Sequence, residues 1–166
     1  ALAIHGRTRE QMYRGAASYD LIAQVKQDIS IPVWVNGDIT RPQQAANILQ
    51  QTGADGVMIG RGAQGQPWLF ADIKQYLQYA TLPPAFTFTD AADTVLKHLS
   101  VMHQFYGETA GVRIARKHLA WYFQRLPEGE GFRQYVNTLN DAAAQYDAVA
   151  HFLATRELSV WPSDYR

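Results

Sequence analysis

Three short stretches hold the side chains with which this chain could do chemistry: His5-Gly6-Arg7-Thr8, Asn36-Gly37-Asp38 and Gly60-Arg61-Gly62. Each follows a short apolar run and combines glycine with a cation, an amide or a carboxylate. Gly37, Gly60 and Gly62 let the main chain come close to a ligand, and Arg61 offers a planar guanidinium fork that matches a phosphate. The chemistry this points to is binding of an anionic group, a phosphate foremost. Plainer roles stay open at this level. Glycine after a strand is ordinary turn punctuation, Arg61 could pair with a carboxylate, Arg7 could be a solvated loop cation, and His5 could bond a neighbouring carbonyl. Asp55 precedes its strand and so falls on the opposite rim, where a structural turn role is expected.

The elements that must position these stretches follow from the pattern around them. Residues 1 to 4, Val33 to Val35 and Val57 to Ile59 are apolar runs without polar alternation, which predicts strands of a parallel sheet covered on both faces. Ligands bind at the carboxyl ends of such strands, and that is where all three stretches lie. Ser18 is a predicted N-cap for a helix to Asp28 with Leu21, Ile22 and Val25 on its packing face. Thr40-Arg41-Pro42-Gln43 reads as a capping box opening a helix that stops at Gly53. Gln64 to Pro67 leads into a helix packed through Trp68, Leu69, Phe70, Ile73 and Leu77. Strand starts recur about every 25 to 30 residues, the length of a strand-plus-helix unit. Three units leave two open edges, so a homodimer through the sheet is a possible state. The connection through Arg9, Tyr13, Arg14 and Gly15 is long for a strand-to-helix link and is expected to be a binding loop.

Tyr79 to Phe88, with Pro83-Pro84, reads as a linker, and beyond it the strand pattern ends. Thr89 or Asp90 is expected to cap a helix to Tyr106 with Ala92, Val95, Leu96, Leu99 and Met102 inward. Further helices are predicted over 112–124, 132–139 and 142–153, a small antiparallel bundle. The domain division is therefore 1–80, a linker 81–88, 89–157, and a tail 158–166 expected to be weakly ordered. Between Lys97 and Arg133 stand six Lys or Arg against three Glu. Arg113, Arg116 and Lys117 recur at helical spacing beside His118, Trp121 and Tyr122, a pattern that suits a phosphate backbone with bases nearby and equally a solvated helix face. His98 and His103 are badly spaced for a shared metal, so no metal site is predicted.

Bulk composition narrows the classes. Fifteen basic and fifteen acidic residues in 166 cancel, so any nucleic-acid role must come from a local patch. The chain has no cysteine, which excludes disulfides, thiolate metal sites and a cysteine nucleophile within it. It carries no apolar run long enough to span a membrane and no secretion signal, so a soluble cytoplasmic setting is expected. It opens Ala1-Leu2-Ala3-Ile4-His5 without an initiator methionine, inside a predicted strand, as the back part of a longer protein would.

The three strand-end stretches, together with Gly53-Ala54-Asp55, Pro67-Trp68 and the Arg116-Lys117-His118 helix through Tyr122, resemble the tRNA-dihydrouridine synthases, in particular the bacterial B subfamily. The resemblance runs from Leu2 to about Leu153. It implies the last three βα units of a TIM (β/α)8 barrel that binds FMN, followed by an all-α tRNA-binding domain. It implies reduction of particular tRNA uridines to dihydrouridine with NADPH as reductant. Carried over by motif, His5 and Arg7 would lie along the flavin, Asn36, Gly37 and Asp38 would meet its ribityl and phosphate region, and Gly60 and Arg61 would hold the phosphate. Arg113, Arg116, Lys117 and His118 would face tRNA. The family takes its catalytic acid from a cysteine on an earlier strand, so no catalytic residue is expected in this chain, which alone would be inactive. Two rivals stand beside this reading: a non-redox phosphate-binding barrel and a non-catalytic RNA-binding module.

Overall fold

The computed structural model describes residues 1–12 and 14–163, which fall into two compact units parting between Pro83 and Pro84. Tyr13 of the expected binding loop and residues 164–166 of the expected tail lie outside the described residues. The first unit runs β1 (Leu2–His5), α1 (Asp20–Asp28), β2 (Val33–Asn36), α2 (Pro42–Thr52), β3 (Gly56–Met58), a 3-10 turn (Arg61–Ala63) and α3 (Leu69–Tyr79). The strands form one parallel sheet in the order β1-β2-β3, with His5 beside Asn36 and Asn36 beside Met58. Mixed α/β architecture with a small parallel sheet is thus what the pattern predicted.

Coverage of the sheet differs from the expectation. In a parallel ladder residues in register share a face, so Leu2, Ile4, Val33, Val35 and Val57 point one way and Ala3, His5, Trp34, Asn36 and Met58 the other. The first face packs on the helices: Val33 and Val35 are buried with Ile22, Ile39, Ala45, Ile48, Leu69 and Ile73. Each such side chain stabilises the unit by about 1.5–3 kcal/mol. The second face is open, with Trp34 45% and Met58 41% exposed. The apolar runs read as doubly covered because Trp34 and Met58 are as hydrophobic as their neighbours, and composition alone does not say whether a second layer is present.

Local signals held in some places and moved in others. Gly53 ends α2, its N–H returning to Leu49 O. The predicted capping box is replaced by Gln44, whose Oε1 accepts from Thr40 N–H and Thr40 Oγ1. Tyr19, not Ser18, stands at the start of α1, and Leu21 is 66% exposed where a packing role was expected. Phe70 and Leu77 are also exposed, because α3 buries Leu69 and Ile73 against the sheet and turns those two side chains to a groove of about 430 Å³ at the β3 edge. Asp55 has the structural role expected of it: Oδ2 accepts from Lys26 Nζ and Val33 N, both at 2.7 Å.

The second unit contains α4 (Phe88–Tyr106), α5 (Glu108–Phe123), α6 (Gly129–Val136) and α7 (Ala142–Ala154). Its core joins Val95, Leu99, Val112, Ala115, Leu119, Phe123, Val136 and Val149, all essentially without solvent access. A buried polar bridge crosses it. Gln145 Oε1 meets His103 Nε2 at 2.8 Å, and Gln145 Nε2 donates to Val112 O. The cap of α4 is Thr87, which accepts from Asp90 N–H, so the helix starts earlier than predicted. The tail expectation is corrected for the residues described. Trp161 is 3% exposed, stacks on Phe88 at 5.4 Å and donates its main-chain N–H to Phe86 O, while Thr87 and Val160 form an antiparallel bridge. A large ring buried against another ring outweighs the entropy that frays a terminus.

Candidate functional site at the strand ends

The parallel register brings the first two stretches together at one end of the sheet. Asn36 Nδ2 donates to Met58 O at 2.6 Å, which turns Asn36 Oδ1 towards His5 Nδ1, 2.5 Å away. Nδ1 therefore carries a hydrogen, and His5 Nε2 is left as an acceptor in the neutral ring. One side-chain ladder so crosses all three strands on the open face. The main chains interlock beneath it: Gly6 N–H donates to Asn36 O and Ser18 N–H to Gly6 O, each at 2.8 Å.

Arg7 and Asp38 form an ion pair whose cation is enclosed. Arg7 Nη1 and Nη2 donate to Asp38 Oδ1 and Oδ2, each at 2.7 Å, and the Arg7 side chain is only 4% exposed. Arg7 also donates to Gly15 O at 2.6 Å and, more weakly, to Arg14 O. Asp38 Oδ2 accepts a further bond from Ala17 N–H. The Arg7 hydrogen bonds hold the Asp38 carboxyl below the usual carboxylate range, against an opposing effect of burial, with smaller downward pulls from Ala17 N–H and from the charges of Arg7 and Arg61. Arg61 is thus electrostatically within reach of the same turn. Tyr19 Oη donates to Gly37 O at 2.8 Å; burial first, then the nearby Asp38 charge, pushes this phenol upwards.

The third stretch meets the second through an exceptionally close approach. A Cβ on Gly62 would lie 2.0 Å from Ile39 O, so only glycine lets the turn after β3 rest on the turn after β2. Gly37 has φ +133°, and a Cβ there would sit 2.9 Å from that of Ala17. Buried Gln66 closes the third turn by donating to Gly62 O at 2.7 Å. Around Gly60, by contrast, nothing lies within 4 Å of where a Cβ would point, and Arg61 is exposed.

The structure therefore brings His5, Asn36, Gly37, Asp38 and Arg7 into one bonded cluster with the Gly60-Arg61 turn packed beside it. They differ in burial: the Arg7 side chain is enclosed by its bonds to Asp38, whereas His5, Gly60 and Arg61 are exposed. Ala17, Tyr19 and Gln66 were not singled out from sequence. Ala17 acts through a main-chain N–H, Tyr19 read as a helix start, and Gln66 read as part of a lead-in to α3.

In the second unit Arg113 and Lys117 are exposed one turn apart on α5, with Lys117 Nζ 5.1 Å from the Trp121 ring centre. Arg116 points elsewhere, donating to Leu139 O and Asn140 Oδ1, both at 2.9 Å. His118 is half-buried between the rings of His98 and Trp121. Burial depresses the pKa of both histidines, and His98 and Lys117 depress that of His118 further, so neither adds charge at neutral pH. His98 Nδ1 meets Tyr122 Oη at 3.1 Å, while burial pushes that phenol to about 12. Among the described residues no group of three or more His, Asp or Glu gathers as a metal site would. No helix among them is long and apolar enough to cross a membrane.

Similarity to known proteins accords with this arrangement. The family model described as Dihydrouridine synthase (Dus) matches residues 1–157. A protein of Pseudomonas syringae pv. tomato named tRNA-dihydrouridine synthase B is 49% identical over 154 residues, covering 93% of this chain and 46% of that protein. The Xanthomonas campestris pv. campestris protein of the same name is 51% identical over 145 residues, 87% of this chain and 44% of its own length. That of Vibrio cholerae is 48% identical over 149 residues, 90% and 46%. The chain spans less than half the length of these relatives. With one family model matching nearly the whole sequence, from strand-end turns to helical unit, the chain belongs to the dihydrouridine synthase family.

Proposed function

We propose that this chain is part of a cytoplasmic, FMN-dependent tRNA-dihydrouridine synthase that reduces particular uridines to 5,6-dihydrouridine with NADPH. In this reading its first unit is the last three βα units of a closed barrel. The observation that carries it is the bonded cluster of three glycine-bearing turns at the carboxyl ends of one parallel sheet, in a chain of this family.

The residues present fit a flavin mononucleotide. Gly60 leaves its main chain open and Arg61 presents an exposed guanidinium, the pairing a phosphate needs. The His5–Asn36 ladder fixes an imidazole whose Nε2 can accept a hydrogen bond from a polar edge of the ligand. Asp38 and Gly37 shape the turn between them. The flavin, when bound and reduced, supplies the hydride for the uracil double bond. The target base has to leave its stack to reach a site at the strand ends. The exposed Arg113 and Lys117, with Trp121 beside them, serve as part of the surface for the tRNA backbone. No side chain of this segment is assigned as the acid that protonates the base, and the segment alone is expected to be inactive.

The test uses the full-length gene product that carries this sequence. It is expected to purify yellow, with flavin absorbance, and to raise the dihydrouridine content of tRNA from a strain lacking the modification when NADPH is added. A colourless protein that takes up no FMN would overturn the reading and favour a non-redox phosphate-binding barrel. Flavin-free protein that still bound tRNA in a salt-dependent way would favour an RNA-binding module.

A further inference from the structure

We propose that Arg7 is a positioning residue of the strand-end site: it acts through Asp38 and the carbonyls of Arg14 and Gly15, holding the Asn36–Asp38 turn and the Arg14–Gly15 segment together, and does not itself grip the ligand phosphate. The role at a flavin rests on the function proposed above; the role in holding the loop does not.

The donor inventory carries the argument. Guanidinium has five N–H groups in a rigid fork, and four of the five point inward, two to Asp38, one to Gly15 O and one to Arg14 O. The bidentate grip by which arginine best holds a phosphate takes two parallel N–H groups, and Arg7 has no such pair left over from these four bonds. Asp38 is equally committed, since its two oxygens take three donors, from Arg7 and Ala17. Asp38 has φ +48°, a left-handed conformation that most residues with a Cβ avoid and that Asp and Asn tolerate better than most.

Thr8 and Gln11 bond each other, and Arg14 N–H returns to Gln11 O. Arg7 ties the carbonyls of Arg14 and Gly15 to the neighbouring strand's turn at Asp38. Arg61, in the next turn, is exposed beside Gly60.

The experiment compares wild type with Arg7→Gln, Arg7→Lys and Asp38→Asn in the full-length protein. Two readouts are used: dissociation constants for FMN and for riboflavin, and the rate of tryptic cleavage after Arg14 with circular dichroism as a check on folding. Positioning predicts that Arg7→Gln weakens FMN and riboflavin by the same factor, about tenfold or more, and speeds cleavage about tenfold. Lys, with one point of donation in place of a fork, should fall between the two. Weakening of FMN with riboflavin unchanged would overturn the proposal, since it marks a direct phosphate ligand. Cleavage at the wild-type rate in a folded Arg7→Gln protein would overturn it too. Should that variant fail to fold, Asp38→Asn decides. It keeps a residue that tolerates left-handed φ and removes one acceptor oxygen, so faster cleavage supports the proposal and an unchanged rate sinks it. A wild type that binds neither flavin would refute the proposed function, and the cleavage rates would still decide the role of Arg7.

Discussion

Gly62 and Ile39 set the tightest tolerance at the site. An added Cβ would meet Ile39 O at 2.0 Å and Ile39 C at 3.1 Å, both main-chain atoms that cannot rotate away as a side chain would. Gly62→Ala must therefore push the turn after β3 off the turn after β2. We expect it to lower stability by about 1–3 kcal/mol, the usual cost of forcing extra volume into a packed contact. The denaturation midpoint would report this, and a midpoint unchanged from wild type would show that the two turns are not packed as described. If the phosphate site proposed at Gly60 and Arg61 is real, the same substitution should weaken FMN binding there, since they share the turn with Gly62. At Arg7 and Asp38 residue type was informative but destination was not. Both were legible as polar groups at a strand end, and neither pattern nor spacing told that each is satisfied by the other.

Helix α5 shows the same division along one element. Arg113, Arg116 and Lys117 lie close in sequence, yet Arg113 and Lys117 face solvent while Arg116 bonds the 139–140 segment. The helical period does not separate them, since residues three and four apart are both neighbours; it is the 139–140 segment that draws Arg116 away. In the full-length protein, Arg113→Glu with Lys117→Glu should weaken tRNA binding at low salt and make the salt dependence shallower by about one unit of slope per lost cation. Arg116→Ala should instead lower stability by about 1–3 kcal/mol, by leaving Leu139 O and Asn140 with lost partners, and keep the slope. Binding isotherms at several salt concentrations and a denaturant melt separate the two outcomes. If Arg116→Ala changed the slope and the double variant did not, the roles given to these faces would be reversed.

At the scale of the whole molecule the open sheet dominates. Among the described residues β1 and β3 are the outer strands of the sheet, Trp34 and Met58 lie exposed on the uncovered face, and Val57, Ile59, Phe70, Ile73 and Leu77 line the groove beside β3. Unpaired edges next to apolar surface template further pairing. The 166-residue chain by itself is therefore expected to self-associate through the first unit, and Trp34→Lys with Phe70→Lys should shift it towards monomer. Size exclusion with light scattering measures this, and a wild-type chain that stayed monomeric at high concentration would contradict it.

The amino-acid sequence by itself determined the alternation of strand and helix over residues 1–80, the helices beyond, the stop at Gly53 and the anion-suited chemistry of the strand ends. These follow from backbone periods and cap chemistry that act over a few neighbouring residues. Only the tertiary structure decided which cations are spent and which are offered. Arg7 finds Asp38 across 31 positions, Arg116 finds Leu139 across 23, and Trp161 folds back on Phe88. Such partners are chosen by the atoms that distant segments bring within bonding range. A solvated arginine and a buried one look alike until those segments are in place.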